Sequence, residues 1–188
     1  MAALAASVFS FSACADDDEE DELTSLSAPS VTTDGVTTQK GSVDDEGKWM
    51  LPDDSPTYNI TIKDNQIVVD WYTYNGFRRY HDACHVCHGP DAEGSTYAPA
   101  LKDSLKTMSY DDVLAVISGG RVRTLADGSK SVMPEFGANP NVSCYLDDIF
   151  VYLKARAEGA LPRVKLGGRN RVAKPQAARD FDKECFGE

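Results

Sequence analysis

The chain has 188 residues, the size of one domain with tails, and 41% hydrophobic residues are enough for one packed core. Its formal net charge of −11 disfavours nucleic acid and anionic membranes as partners. Beyond the N-terminus no stretch reaches the ~18 consecutive apolar residues of a membrane-crossing helix, so no transmembrane segment is expected.

Residues 1–15 read as the end of a secretory signal. Leu4 to Phe11 is apolar or small, and Ala13-Cys14-Ala15 resembles a cleavage site, although Met1-Ala2-Ala3 lacks the basic residues that open such signals. A rival reading makes Cys14 a lipidated N-terminus. Residues 16–57 begin with the unbroken acidic run Asp16 to Glu22 and continue in Ser, Thr, Gly, Asp and Pro, which predicts a largely disordered or draped segment with one apolar cluster, Trp49-Met50-Leu51.

The domain proper is expected over 58–160. Tyr58 to Ile62 alternates, Lys63 to Gln66 has turn chemistry and Ile67-Val68-Val69 is β-branched, which predicts a small hairpin. Asp70 then caps a helix through Trp71, Tyr74 and His81. Gly76 inside that helix costs ~1 kcal/mol relative to Ala, a sign that another backbone passes close by.

That helix delivers the chain to Cys84-His85-Val86-Cys87-His88. Two thiols separated by two residues can bond to the two vinyl groups on one edge of a porphyrin, and the adjoining His then ligates the iron, so the pentapeptide reads as the attachment site of one c-type haem. A redox dithiol or half of a zinc site are the alternatives, but no alternating β/α pattern surrounds the motif and no second C-x-x-C follows. A ligating His donates its other ring N–H to an acceptor, and Pro99, in the following loop, offers a free carbonyl.

Ser109-x-x-Asp112 resembles a capping box, opening a short apolar helix that ends at Gly119-Gly120. A loop carrying Arg121, Arg123 and Asp127-Gly128 leads to Val132-Met133-Pro134. The last helix is expected from near Ser143, with Asp147 and Asp148 complementing its dipole, a stripe of Leu146, Ile149, Phe150, Leu153 and Ala157, and a stop at Gly159. Residues 161–188 read as a basic, solvated tail. With Cys14 in the signal and Cys84 and Cys87 on haem, Cys144 and Cys185 remain. In an exported protein they pair, stapling the tail to the core with ~4 kcal/mol of chain-entropy stabilisation.

A haem electron carrier needs a sixth iron ligand that stays bound in both oxidation states, and a thioether supplies it while raising the potential. Met133 lies about 45 residues beyond His88 in a Pro-flanked loop and is the first choice; Met108, about 20 residues on, is the second. His81 and His85 approach from the proximal side and read as satisfied or exposed side chains. Arg78, Arg79, Arg121 and Arg123 are candidates to pair with propionates.

The helix into C-x-x-C-H, the Pro loop, the late Met-Pro and the amphipathic final helix resemble the class I cytochrome c fold. This implies an all-α domain around one haem, with Gly76 and Phe77 crossing Tyr152. More narrowly, Trp71-Tyr72-Thr73-Tyr74, Gly94 to Leu101, Val132 to Gly137 and Cys144 to Ile149 resemble the four-cysteine, methanol-metabolism-related c-type cytochromes. That resemblance implies a periplasmic electron-transfer protein rather than an enzyme. It would take single electrons from a lanthanide-dependent, PQQ-containing methanol dehydrogenase and pass them to a downstream cytochrome or oxidase. A haem enzyme or gas sensor with an open sixth position, and a tethered subunit of a respiratory complex, are the other classes.

Overall fold

Two helices that cross at a glycine organise the molecule. In this computed structural model, which describes residues 30–33, 36–39, 42–64, 66–124 and 126–187, α1 spans Trp71–Ala83. Asp70 caps α1 by accepting from Thr73 N at 2.8 Å, and its second oxygen accepts from Asn59 N at 2.8 Å, so one carboxylate joins helix to hairpin. The chain continues through α2 (His85–His88), α3 (Leu101–Ser104), α4 (Tyr110–Gly119), α5 (Pro140–Ser143), α6 (Leu146–Ala157) and α7 (Gln176–Phe186). Among the described residues no helix is long and apolar enough to cross a membrane.

A Cβ on Gly76 would lie 1.8 Å from the Asp148 carbonyl oxygen, so α1 and α6 touch backbone to backbone there. Around this point Phe77 meets Tyr152 edge-on at 5.7 Å, and Tyr80, Ile149, Tyr152 and Leu153 are buried. The expected crossing residues are the ones that cross. Asp148 lies in the first turn of α6 as expected for a dipole complement, and it is also buried in the crossing, where Asn75 donates to it at 2.6 Å. Burial pushes its carboxyl up to about 8, against the opposing pull of Asn75 and Lys48.

The capping box of Ser109 and Asp112 forms at the start of α4 as expected. The final helix starts later than the sequence suggests, because Asn139 caps and Pro140 opens a separate turn, α5, and the chain bends at Tyr145 before α6.

The all-α expectation needs correction in three places. The hairpin β6 (Asn59–Lys63) and β7 (Gln66–Val69) is present, but β1 (Ser30–Thr33) pairs with β6 in parallel and β2 (Val36–Gln39) adds to β1, making a four-stranded sheet. Residues 42–57, expected to be disordered, form a small sheet of β3 (Ser42–Val43), β4 (Trp49–Met50) and β5 (Pro56–Thr57). Strands of two residues leave no periodicity to read. Asp44 sets their turn by accepting from Glu46 N and Lys48 N, and Tyr72 of α1 donates to Glu46 O at 2.7 Å. The loop before Met133 is a ribbon, β8 (Arg121–Thr124) with β9 (Lys130–Met133). The expected signal, 1–15, and the acidic run 16–22 lie outside the described residues.

The basic tail is not solvated throughout. The Arg171 guanidinium lies over the Trp71 and Tyr74 rings at 4.8 and 5.2 Å, Lys174 lies over Trp71, and α7 returns to α5 through the Cys144–Cys185 disulfide, Cα to Cα 6.3 Å. The segment from Arg171 through α7 therefore folds back against the start of α1 and α5.

Candidate functional site

Cys84 closes α1 by donating its N–H to Tyr80 O at 2.8 Å, and α2 begins at once, with His88 N bonded to Cys84 O at 3.0 Å. The two thiols thus sit one turn apart on a single helical surface, Cys84 half-buried and Cys87 exposed. Burial, reinforced by the neighbouring Cys87, pushes the Cys84 thiol up to about 12. A redox dithiol needs a lowered thiol pKa, so this environment disfavours that reading. Among the described residues, no group of three or more His, Cys, Asp or Glu side chains gathers as a metal cluster, so the half-site for zinc finds no partners.

His88 is 6% exposed, and its Nδ1 stands 2.9 Å from Pro99 O. A carbonyl only accepts, so Nδ1 carries the proton and the Nε2 lone pair is left for a metal. The loop between is built to hold that carbonyl. Gly89 and Gly94 adopt φ +77° and +81°, and a Cβ on Gly94 would stand 2.6 Å from Ala100 N and 2.9 Å from the Pro99 carbonyl carbon. Gly94 N donates to His88 O at 2.8 Å, Lys102 N donates to Ala92 O at 3.1 Å, and the Tyr80 hydroxyl donates to Gly89 O.

Sequence reasoning missed a second anchor of this loop. The buried Arg156 of α6 donates through Nε and Nη2 to Asp91 O, both at 3.2 Å, and through Nη1 to Leu161 O at 2.6 Å. Arg163 pairs with Glu93, which also binds Lys102. The only sequence signal was an Arg on the predicted buried side of a helix, whose partner carbonyls no pattern could name.

Met133 ends β9, half-buried against the main core alongside Cys84, Leu101, Leu105 and Met108. Its strand end is pinned: Phe136 N and Gly137 N donate to Ile117 O and Ser118 O, and a Cβ on Gly120 would meet Met133 O at 2.7 Å. Met108 packs against that core as well. His81 is satisfied by Phe77 O at 2.8 Å, whereas His85 Nδ1 is buried without a partner among the described residues. Arg79 stacks on the Tyr145 ring at 3.8 Å and bonds Asn141, which occupies it; Arg78, Arg121 and Arg123 are exposed.

Paired thiols on one turn beside a buried imidazole whose Nδ1 is held by a carbonyl are a set that fits the covalent attachment of a haem.

No family model matches the chain. It is 50% identical over 119 residues to cytochrome c-553I of Paracoccus denitrificans, covering 63% of this chain and 51% of that protein. It is 39% identical over 99 residues to cytochrome c-555 of Methylococcus capsulatus, covering 52% of this chain and 73% of that one. The chain therefore spans about half of the first relative and about three quarters of the second. The crystal structure of the c-type cytochrome XoxG from Methylobacterium extorquens AM1 matches with a TM-score of 0.67 and 48% identity, over 77% of this chain and 84% of that one.

Proposed function

Because the chain belongs to the c-type cytochromes and so binds haem c covalently, we propose that it is a periplasmic one-electron carrier between a PQQ-dependent methanol dehydrogenase and a downstream cytochrome or oxidase. Cys84 and Cys87 would hold the porphyrin edge, and His88 Nε2 and Met133 Sδ would ligate the iron. The observation that carries this reading is His88, buried beside the cysteine pair with its tautomer fixed by the Pro99 carbonyl.

Bound in this way, the haem supplies a ferric–ferrous couple at a potential raised by the thioether. The protein holds both ligands in place. Arg156 and the glycine turn keep the Pro99 carbonyl from drifting, and the bonds of Phe136 N and Gly137 N to Ile117 O and Ser118 O fix the chain just after Met133. With both residues as ligands the iron would have no open position for substrate, as a carrier requires and a haem enzyme does not. The methanol assignment rests on the motifs around Trp71, Gly94, Val132 and Cys144. A quinol yields two electrons and one C-x-x-C-H attaches one haem, so each dehydrogenase turnover needs two encounters.

The test is to mix the purified ferric protein with a PQQ-dependent methanol dehydrogenase and methanol, and to follow the haem spectrum. Reduction at turnover rates is expected. Failure there, with reduction by another dehydrogenase, would remove the methanol donor and leave the carrier.

A further inference from the structure

The β8–β9 ribbon is basic and exposed on a chain of acidic net charge. Every described residue from Arg121 to Lys130 is exposed, Val122 and Val132 are 61% and 63% exposed, and the register sets these two valines directly opposite each other. Alternation puts Val122, Val132, Thr124 and Lys130 on one face, and Arg121, Arg123 and Ser131 on the other with Met133. Among the described residues no carboxylate lies within ion-pairing distance of Arg121, Arg123 or Lys130. The one acid in the ribbon, Asp127, is turned into its own tip, accepting from Ser129 N at 2.9 Å and from its hydroxyl.

A two-stranded ribbon has little stability by itself, and an exposed valine pair flanked by cations adds nothing to a core. The ribbon is nevertheless held rigidly at its base by Gly120 and by the bonds of Phe136 and Gly137 to α4. A chain of net charge −11 thus projects a basic finger with an exposed valine pair near its base, whose last residue is Met133.

We propose that the β8–β9 ribbon is the docking element for an acidic face of a redox-partner protein, the valine pair supplying the dry contact and Arg121, Arg123 and Lys130 the steering. This rests on the electron-carrier reading. A partner seated on the ribbon stands at the Met133 end of the centre, and the ribbon's cations, free of carboxylate partners, attract an acidic face.

The test is stopped-flow oxidation of the ferrous holoprotein by an acidic blue-copper protein, with a basic c-type cytochrome as the contrasting probe, across a range of salt. The double reversal Arg121→Glu/Arg123→Glu is expected to slow the acidic probe at least ~tenfold at low salt, with the two curves converging at high salt, and to leave the basic probe as fast or faster. Val122→Ser/Val132→Ser is expected to weaken the complex without changing the salt slope. Unchanged rates with the acidic probe would overturn the proposal. Equal slowing of both probes would also overturn it, since that reports damage to the haem centre. A third contrary result is a charge effect that vanishes when residues 16–22 are deleted, which would make this chain's own acidic run the occupant. A wild-type haem that exchanges electrons with neither probe would instead refute the carrier reading itself.

Discussion

Replacing Gly76 by Ala puts one methyl group where two helices have no room. Its Cβ would stand 1.8 Å from Asp148 O, 2.4 Å from the Asp148 carbonyl carbon and 3.0 Å from Tyr152 Cβ, against 3.4 Å or more for ordinary contact. The obstacle is backbone, which cannot rotate aside, so α1 and α6 must separate. Separation stretches the buried 2.6 Å bond from Asn75 to Asp148 and loosens Tyr80 and Tyr152. Weakening that bond costs about 2 kcal/mol, overpacking adds about 2, and the better helix propensity of Ala returns about 1, for a net loss near 3 kcal/mol. Guanidinium unfolding of the holoprotein, followed by the far-ultraviolet helix signal, measures this as a lower midpoint at unchanged slope. A Gly76→Ala protein as stable as the wild type, or more stable, would refute the close crossing.

Asp148 makes stability depend on pH. Its carboxyl keeps a proton in the folded state up to about 8, whereas the unfolded chain releases it near the ordinary ~4. The folded state therefore binds the extra proton, and stability falls as pH rises from about 4 to about 8 and levels above. Buried Asp70, also pushed up by burial, adds to the slope. Asp148→Asn is expected to flatten the profile in pH-dependent denaturation; an unchanged slope would assign it elsewhere. Met133→Ala is expected to give high-spin ferric haem lacking the red absorption band of a thioether–iron bond, while Met108→Ala keeps that band; the reverse outcome would exchange the two ligands. Cys185→Ser opens the loop between residues 144 and 185 and should cost ~4 kcal/mol in the chain-entropy model, read as a lower Tm with the haem spectrum unchanged.

The features legible in the sequence were local or carried a steric penalty. Asp70 advertised its helix because a carboxylate before an apolar run has one good use, and Gly76 advertised the crossing because glycine within a helix needs a reason. The C-x-x-C-H spacing is set by the porphyrin itself, and the Pro99 carbonyl lies only eleven residues from His88. What stayed hidden depended on distant partners. Asp148 looks like an ordinary dipole complement until Gly76 brings α1 against it. Arg171 looks solvated until Trp71 and Tyr74 offer their faces, and Arg156 gives no hint of the Asp91 carbonyl. The two-residue strands around Trp49 are held by turn bonds and by Tyr72, not by a pattern of their own.

The contact between α1 and α6 also has a topological consequence. Every residue proposed to hold the haem lies in the one long loop that this contact closes, between Ala83 and Leu146. The helix crossing and the cofactor are therefore two clasps on the same lasso, and either clasp lowers the entropy cost of fastening the other. Haem loading and helix docking become a single cooperative event, and a chain that cannot cross its helices will also be poor at maturing its haem.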